Sequence, residues 1–266
     1  MLFPRLIVLL TLSLLAMPAI AQNTAPSIVV SIEGAVNAPG QYALPDRARL
    51  SEAVRQAQPS PAAYPLGAAL LRQQSLVEQT RLKAGLLYDL HALQSEPTSK
   101  SAAAQSSALA QWLQTLPVTG RVPQQLEPQL LQIDRTIDPP AMAGDRVIYP
   151  LRPDYVSVVG AVNHSCQLPH ASTQGVRHYL SECTPSAIAD RDVVYVVQPD
   201  GRVQELGIAL WNRGPLQALA PGAILYVPLA KRLVRNVDPD FNIEFAQFLA
   251  TQLLPAPGVT DRKSVV

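Results

Sequence analysis

Two stretches of the chain alternate apolar and polar positions with a period of two, the signature of a half-buried strand. They are SIVVSIEGAV, from Ser27, and DYVSVVGAV, from Asp154. Each is followed by a turn and a short segment closing on Leu-Pro, at Leu44-Pro45 and Leu168-Pro169. The period then changes to that of an amphipathic helix, in RLSEAVRQA from Arg49 and GVRHYLSEC from Gly175. Further on, MAGDRVIYPL (142–151) and APGAILYVPL (220–229) share a glycine turn, an apolar run and a closing Pro-Leu, which predicts a last strand and its exit. Proline suits that exit because it ends strand pairing without leaving an N–H unsatisfied.

These elements describe one unit written twice. Gly34 and Gly160 open the tetrad Gly-Ala-Val-Asn in each copy, 126 positions apart, whereas Tyr149 and Val227 at the far ends are 78 apart. The first copy is therefore 48 residues longer. Most of the excess lies between Ala57 and Gly120, 63 positions apart, against 18 from Cys183 to Gly201. That interval holds LLRQQSLVEQTRLKAGLLYDLHAL, with Leu82, Leu86, Leu90 and Leu93 at helical spacing. It also holds SAAAQSSALAQWLQTL, with a stripe of Ala104, Ala108, Leu109, Trp112, Leu113 and Leu116. Two such helices joined by QSEPTSK form an αα-hairpin, inserted at about 64–116. The units run over 28–153 and 154–230, and strands with one early covering helix make each an α+β fold. The glycine of each Gly-Ala-Val is expected to serve a bulge or a close backbone approach.

After the second copy, DPDFNIEFAQFLATQLL predicts an amphipathic helix over 238–254, followed by a flexible tail at 255–266. Phe241, Phe245 and Phe248, with Leu249 beside them, share one face. That face packs on its own domain, on a protein partner or on a membrane interface. The helix lacks the Lys or Arg that interfacial helices carry on their polar side.

The stretch V-S-I-E-G-A-V-N-A-P-G-Q-Y-A-L, from Val30, resembles the signature of the soluble-ligand-binding β-grasp domain of bacterial polysaccharide export proteins. Two such units, with AYPLGAALLRQ leading into the hairpin and LPVTGRV after it, are similar to the GfcC family of capsule biosynthesis proteins. The resemblance covers about Ile28 to Leu229. The second copy departs from it, because GAVNHSCQLPH lacks the Pro-Gly-x-Tyr of Pro39, Gly40 and Tyr42. The resemblance implies two tandem β-grasp domains related to the periplasmic layers of Wza-type export channels. It also implies a periplasmic accessory role in capsular or exopolysaccharide biosynthesis or export, with saccharide or export and assembly proteins as partners.

The first 21 residues sharpen the location. One basic residue, Arg5, precedes an apolar run from Leu6 to Leu15 and an Ala19-Ile20-Ala21 cleavage site, which reads as a secretory signal peptide. No later run of the 266 residues is apolar enough to span a bilayer. Without Arg5 the charges balance at 20 basic and 20 acidic, so a nucleic acid partner is disfavoured. In an exported chain, Cys166 and Cys183 are expected to form a disulfide. They also sit among His164, His170 and His178, residue types that ligate zinc. The spacing fits no common zinc motif, and export favours oxidation over thiolate ligation; neither a metal nor a cofactor is expected.

Sequence patterns of hydrolases, phosphate loops and dinucleotide sites are missing. Arg121, at a strand start in VTGRVP, matches the Thr-Gly-Arg of the family pattern and could hold a carboxylate or phosphate in a bidentate fork. It could equally pin the hairpin through Asp89 or Glu96, or lie in solvent. Arg72 is a second such candidate, and Tyr42, Tyr64, Trp112 and Trp211 are the aromatic faces available to stack on sugar. A non-enzymatic binding module is the leading expectation. The alternatives are an enzyme acting on capsular polysaccharide or its lipid-linked precursor, and a small-ligand sensor built on the loop around Pro39 and Gly40.

Overall fold

A computed structural model describes residues 27–95, 100–214 and 217–255. The expected signal peptide, Glu96 and all but the first residue of the expected tail lie outside the described residues. In the first unit, strands β1 (Ser27–Gly34) and β2 (Gly40–Pro45) precede helix α1 (Leu50–Ala57). Strand β3 (Ala69–Leu71) leads into helices α2 (Gln74–Ser95) and α3 (Lys100–Thr115). Strand β4 (Arg121–Val122), helix α4 (Pro128–Ile133) and strand β5 (Arg146–Tyr149) complete the unit. The second unit holds β6 (Tyr155–Gly160), β7 (Cys166–Pro169), helix α5 (Val176–Glu182), β8 (Val193–Val197), β9 (Val203–Gly207) and β10 (Ile224–Val227). Helices α6 (Lys231–Val234) and α7 (Phe241–Ala250) follow.

Among the described residues the strands form two five-stranded sheets of the same topology, β2-β1-β5-β3-β4 and β7-β6-β10-β8-β9. In each, the first and last strands of the unit run parallel at the centre and the other pairs are antiparallel. The registers coincide residue by residue. Ile32 faces Gly40 as Val158 faces Cys166, and Gly34 faces Tyr149 as Gly160 faces Val227. Isolated bridges repeat as well, Val36–Pro59 with Val162–Pro185 and Ala63–Leu151 with Ala189–Leu229. This is the α+β fold of two tandem β-grasp domains. One detail shifts: Leu168 pairs with Val156 as Tyr42 pairs with Val30, so the second Leu-Pro stands two residues earlier than the first. A two-residue displacement keeps the side chain on the same face, which lets it pass unnoticed in the apolar pattern.

The repeated glycine has a backbone cause. Gly34 and Gly160 adopt φ of +91° and +103°. A Cβ there would lie 2.1 Å from the Tyr149 carbonyl oxygen and 2.3 Å from that of Val227. Only glycine fits both the conformation and the approach.

Leu71 pairs with Arg121, and its counterpart Val197 pairs with Val203, so the extra residues enter between β3 and β4. Residues 64–71 form a short 3-10 turn at Pro65–Gly67 and strand β3, and the hairpin proper is α2 and α3. Leu86, Leu90 and Leu93 of α2 face Leu109, Ala110 and Leu113 of α3. The buried stripe of α3 is Ala102, Ser106, Leu109 and Leu113; Ala104 and Ala108 are exposed. Lys83 Nζ donates to the carbonyls of Gln114 and Leu116 at 3.0 and 2.6 Å, satisfying the end of α3.

The hairpin grows from the first sheet and packs on the second. Trp112 stacks on Phe245 of α7 at 6.0 Å between centroids, and Phe245 stacks on Tyr226 of β10 at 5.0 Å. Gln105 of α3 donates to the Val162 carbonyl at 2.9 Å. The hairpin and α7 thus form a lid on the outer face of the second sheet, whose inner face carries α5. The buried Asn242 fixes α7 to the strand end, donating to the Leu229 carbonyl at 2.8 Å and accepting its N–H at 3.1 Å. No helix among the described residues is long and apolar enough to cross a membrane.

Candidate functional site

Arg121 is buried, and its guanidinium is surrounded by main-chain carbonyls. It donates to Gln252 at 2.8 Å, to Ala68 at 3.3 Å, to Ala250 at 3.4 Å and, at closer range, to Pro199. Those acceptors come from the first domain, the second domain, and the end of α7 with the residues after it, so the side chain ties three parts of the chain together. Gln79 of α2 holds its main chain, donating to the Arg121 carbonyl and accepting from Gly120 N–H, both at 2.8 Å. Burial pushes the Arg121 pKa down to about 10, with the Asp200 carboxylate opposing that shift. This environment corrects two of the expectations from the sequence: neither Asp89 nor open solvent holds the charge, and both terminal nitrogens of the fork already donate to main-chain carbonyls. That leaves the buried Nε as its one nitrogen without a partner among the described residues. Arg72 is also occupied, by a bidentate pair to Asp145 at 3.1 Å and by the Pro140 carbonyl at 2.8 Å.

Pro39 and Gly40 lie exposed in the turn between β1 and β2, where Tyr42 donates to the Ala38 carbonyl. Cys166 and Cys183 form a disulfide joining β7 to the end of α5. His170 Nε2 lies 2.9 Å from the Leu219 carbonyl oxygen, and the His178 ring meets Tyr179 edge-on. Phe241, Phe245 and Phe248 are 0% exposed and Leu249 is 2% exposed. Of the three surfaces expected for this face, packing within the chain is the one found, and the partner-docking alternative is corrected: α7 sits between sheet and hairpin, and only Gln247 along it is exposed.

Of the four aromatic candidates, Tyr64 is buried with Arg152 over its ring, and Trp112 is stacked inside. Tyr42 is half-buried at its turn. Trp211 is different, with 77% of its surface exposed. It stands on the loop after β9; Ile208 and Arg213, on either side of it in that loop, line a cleft of about 420 Å³ to which the Trp211 ring itself does not contribute lining. Val176, Leu206 and Ile208 give the cleft apolar lining, and Gln174, Arg177, His178, Arg213 and Gln217 give it polar and cationic groups.

The loop that makes one wall is anchored. Asp192 accepts from Trp211 Nε1 at 3.3 Å through its carboxylate and from Ile208 N–H at 2.8 Å and Asn212 Nδ2 at 2.9 Å through its carbonyl. Gly207 lets the loop fold back, since a Cβ there would fall 2.0 Å from the Asn212 carbonyl oxygen. On the other wall, Arg177 of α5 donates to the Ile208 carbonyl at 3.3 Å.

The equivalent place in the first domain is filled. There 25 positions separate Arg121 from Arg146, against 21 from Val203 to Ile224 in the second domain. The longer connection carries α4, whose Leu131 is 2% exposed in the core formed with α1. Asp138 closes that region by accepting from Ser51 N–H at 3.1 Å and from its hydroxyl at 2.7 Å. Arg177 occupies the position of Ser51, so the second domain has a cationic wall, and no helix lies between β9 and β10 among the described residues. Sequence reading found Trp211 but missed Arg177 and Arg213. The available signal was the shorter connection between matched strands.

The comparisons with known proteins agree with this layout. Residues 27–152 match the family described as Capsule biosynthesis GfcC, N-terminal, and residues 164–254 match Capsule biosynthesis GfcC C-terminal. The chain is 32% identical over 188 residues to an Escherichia coli (strain K12) protein described as Uncharacterized protein YjbG, covering 71% of each. Matched in order along both domains, the chain belongs to the GfcC family of capsule biosynthesis proteins.

Proposed function

We propose that this protein is a periplasmic accessory factor in capsular or exopolysaccharide biosynthesis and export, and that it acts by binding saccharide in the second domain. The observation that carries this reading is the cleft walled by the loop that carries the exposed Trp211. The apolar lining of Val176, Leu206 and Ile208 suits the C–H face of a sugar ring, the glutamine side chains and arginines suit its hydroxyls, and the exposed indole of Trp211 is available on the loop that walls the cleft. Capsule biosynthesis as the family's process supports the ligand class, and the export-type leader supports the compartment. The two tied arginines have a different part: Arg121 joins the two domains and the segment around the end of α7, and Arg72 ties Asp145 and Pro140 within the first domain.

The direct test is calorimetric titration of the mature protein with the polysaccharide of its own host, alongside Trp211→Ala. Saturable binding that Trp211→Ala weakens at least tenfold is the expected result. No binding, or binding indifferent to Trp211, overturns the reading. Osmotic-shock fractionation of the host tests the compartment: the protein is expected in the periplasmic fraction, and retention in the cytoplasm contradicts that part.

A further inference from the structure

The charge around the cleft is one-sided. Arg177 and Arg213 line it from two different elements, and among the described residues neither forms an ion pair. Arg177 makes a single hydrogen bond, to the Ile208 carbonyl, which holds the side chain at the wall and leaves most of its five N–H donors open. Arg213 is exposed. The carboxylate anchoring the loop, Asp192, is engaged by the Trp211 indole and does not line the cleft. This contrasts with Arg72, Arg146 and Arg202, each of which has a carboxylate at 3.1 Å or less. Two unpaired guanidinium groups about an apolar-floored cavity form a site for a planar oxyanion attached to an uncharged ring.

We infer that the cleft selects an anionic saccharide, with Arg177 and Arg213 reading a carboxylate or phosphate on the sugar while Trp211, on the loop that walls the cleft, supports the part of the ring that projects from it. The inference rests on the saccharide-binding reading and adds charge selectivity to it. Selectivity follows because a neutral sugar leaves the two cations with water alone, whereas an oxyanion replaces that water with charge-assisted hydrogen bonds. Attraction at an exposed site is screened by salt, so the preference shrinks as ionic strength rises.

The test compares three probes of similar size on the full mature chain: a hexuronate oligosaccharide, a sugar phosphate and a neutral oligosaccharide. Each is titrated into the wild type, Arg177→Gln, Arg213→Gln and Trp211→Ala at low and at physiological salt, with unfolding midpoints checking that the variants are folded. The expected result is at least tenfold tighter binding of one anionic probe over the neutral one. Arg213→Gln and Arg177→Gln are each expected to remove most of that ratio, and Trp211→Ala to weaken all probes alike. Which anionic probe binds tighter identifies a carboxylate or a phosphate. Equal, Trp211-dependent affinity for neutral and anionic probes would overturn charge selectivity and leave saccharide binding standing. No binding of any probe would remove both.

Discussion

The two β-grasp domains share their strand order and register, yet their outer faces have opposite fates. In the first, Glu33 of β1 and Arg146 of β5 meet at 3.0 Å in solvent, with side chains 46% and 51% exposed. At the matching positions of the second stand Val159 and Ile224, and Val159 is 8% exposed beneath helices. Tyr195 and Tyr226, on that same face, take the places of Ala69 and Ile148. The lid above them comes from two sources, a hairpin spliced into the first domain and a helix that follows the second. An insertion in one copy thus stabilises the other. The difference continues at the opposite end of each helix-covered face. There the first domain is plugged by α4, which has no counterpart among the described residues of the second. One copy is closed and scaffolding; its twin carries both the extended core and the cleft.

Placing a charge under the lid is the most disruptive way to break this comparison. Val159→Glu copies the first domain's residue into the second, where no cation matches it, and should cost about 4 kcal/mol in chemical denaturation. A loss under 1 kcal/mol would mean that the face is not sealed. Next in size are Gly34→Ala and Gly160→Ala. Both force a Cβ into a carbonyl oxygen at positive φ, so each should lose about 3 kcal/mol, and the two losses should agree within a factor of two. A large loss in one and none in the other would break the equivalence of the copies.

Changing both Cys166 and Cys183 to alanine should remove roughly 2–3 kcal/mol, because the bond closes a loop across a sequence separation of 17. The first domain has Gly40 and Ala57 at those places and needs no such link, so its amides should keep their protection in that variant. The smallest effect belongs to Glu33→Val. It breaks an exposed pair and should change stability by less than about 0.5 kcal/mol, in sharp contrast with the reciprocal change at Val159.

Much of this architecture was legible in the sequence. The tetrads at Gly34 and Gly160 marked the duplication because a positive φ against a carbonyl admits only glycine, and the strand pattern around them has a strict period. The helices of the hairpin were legible from their leucine spacing. Their destination was not, since periodicity reports that a face is buried and says nothing of what buries it. The same limit left open which of three surfaces the Phe-rich helix would meet. Arg121 was noticed between two valines, but four of its acceptors are main-chain carbonyls, which have no sequence signature, and those of Ala250 and Gln252 lie 129 and 131 residues away. The cleft arises from a connection four residues shorter than its counterpart, visible only once the strands on both sides are correctly matched.

The claim that the first domain's hairpin belongs energetically to the second is tested most directly by native-state hydrogen exchange on the intact chain. Amides of α2 and α3 are expected to open together with those of β8 and β10, at a common free energy distinct from that of β1 and β5. Hairpin amides that instead open with β1 and β5, or exchange freely while β8 and β10 stay protected, would contradict it.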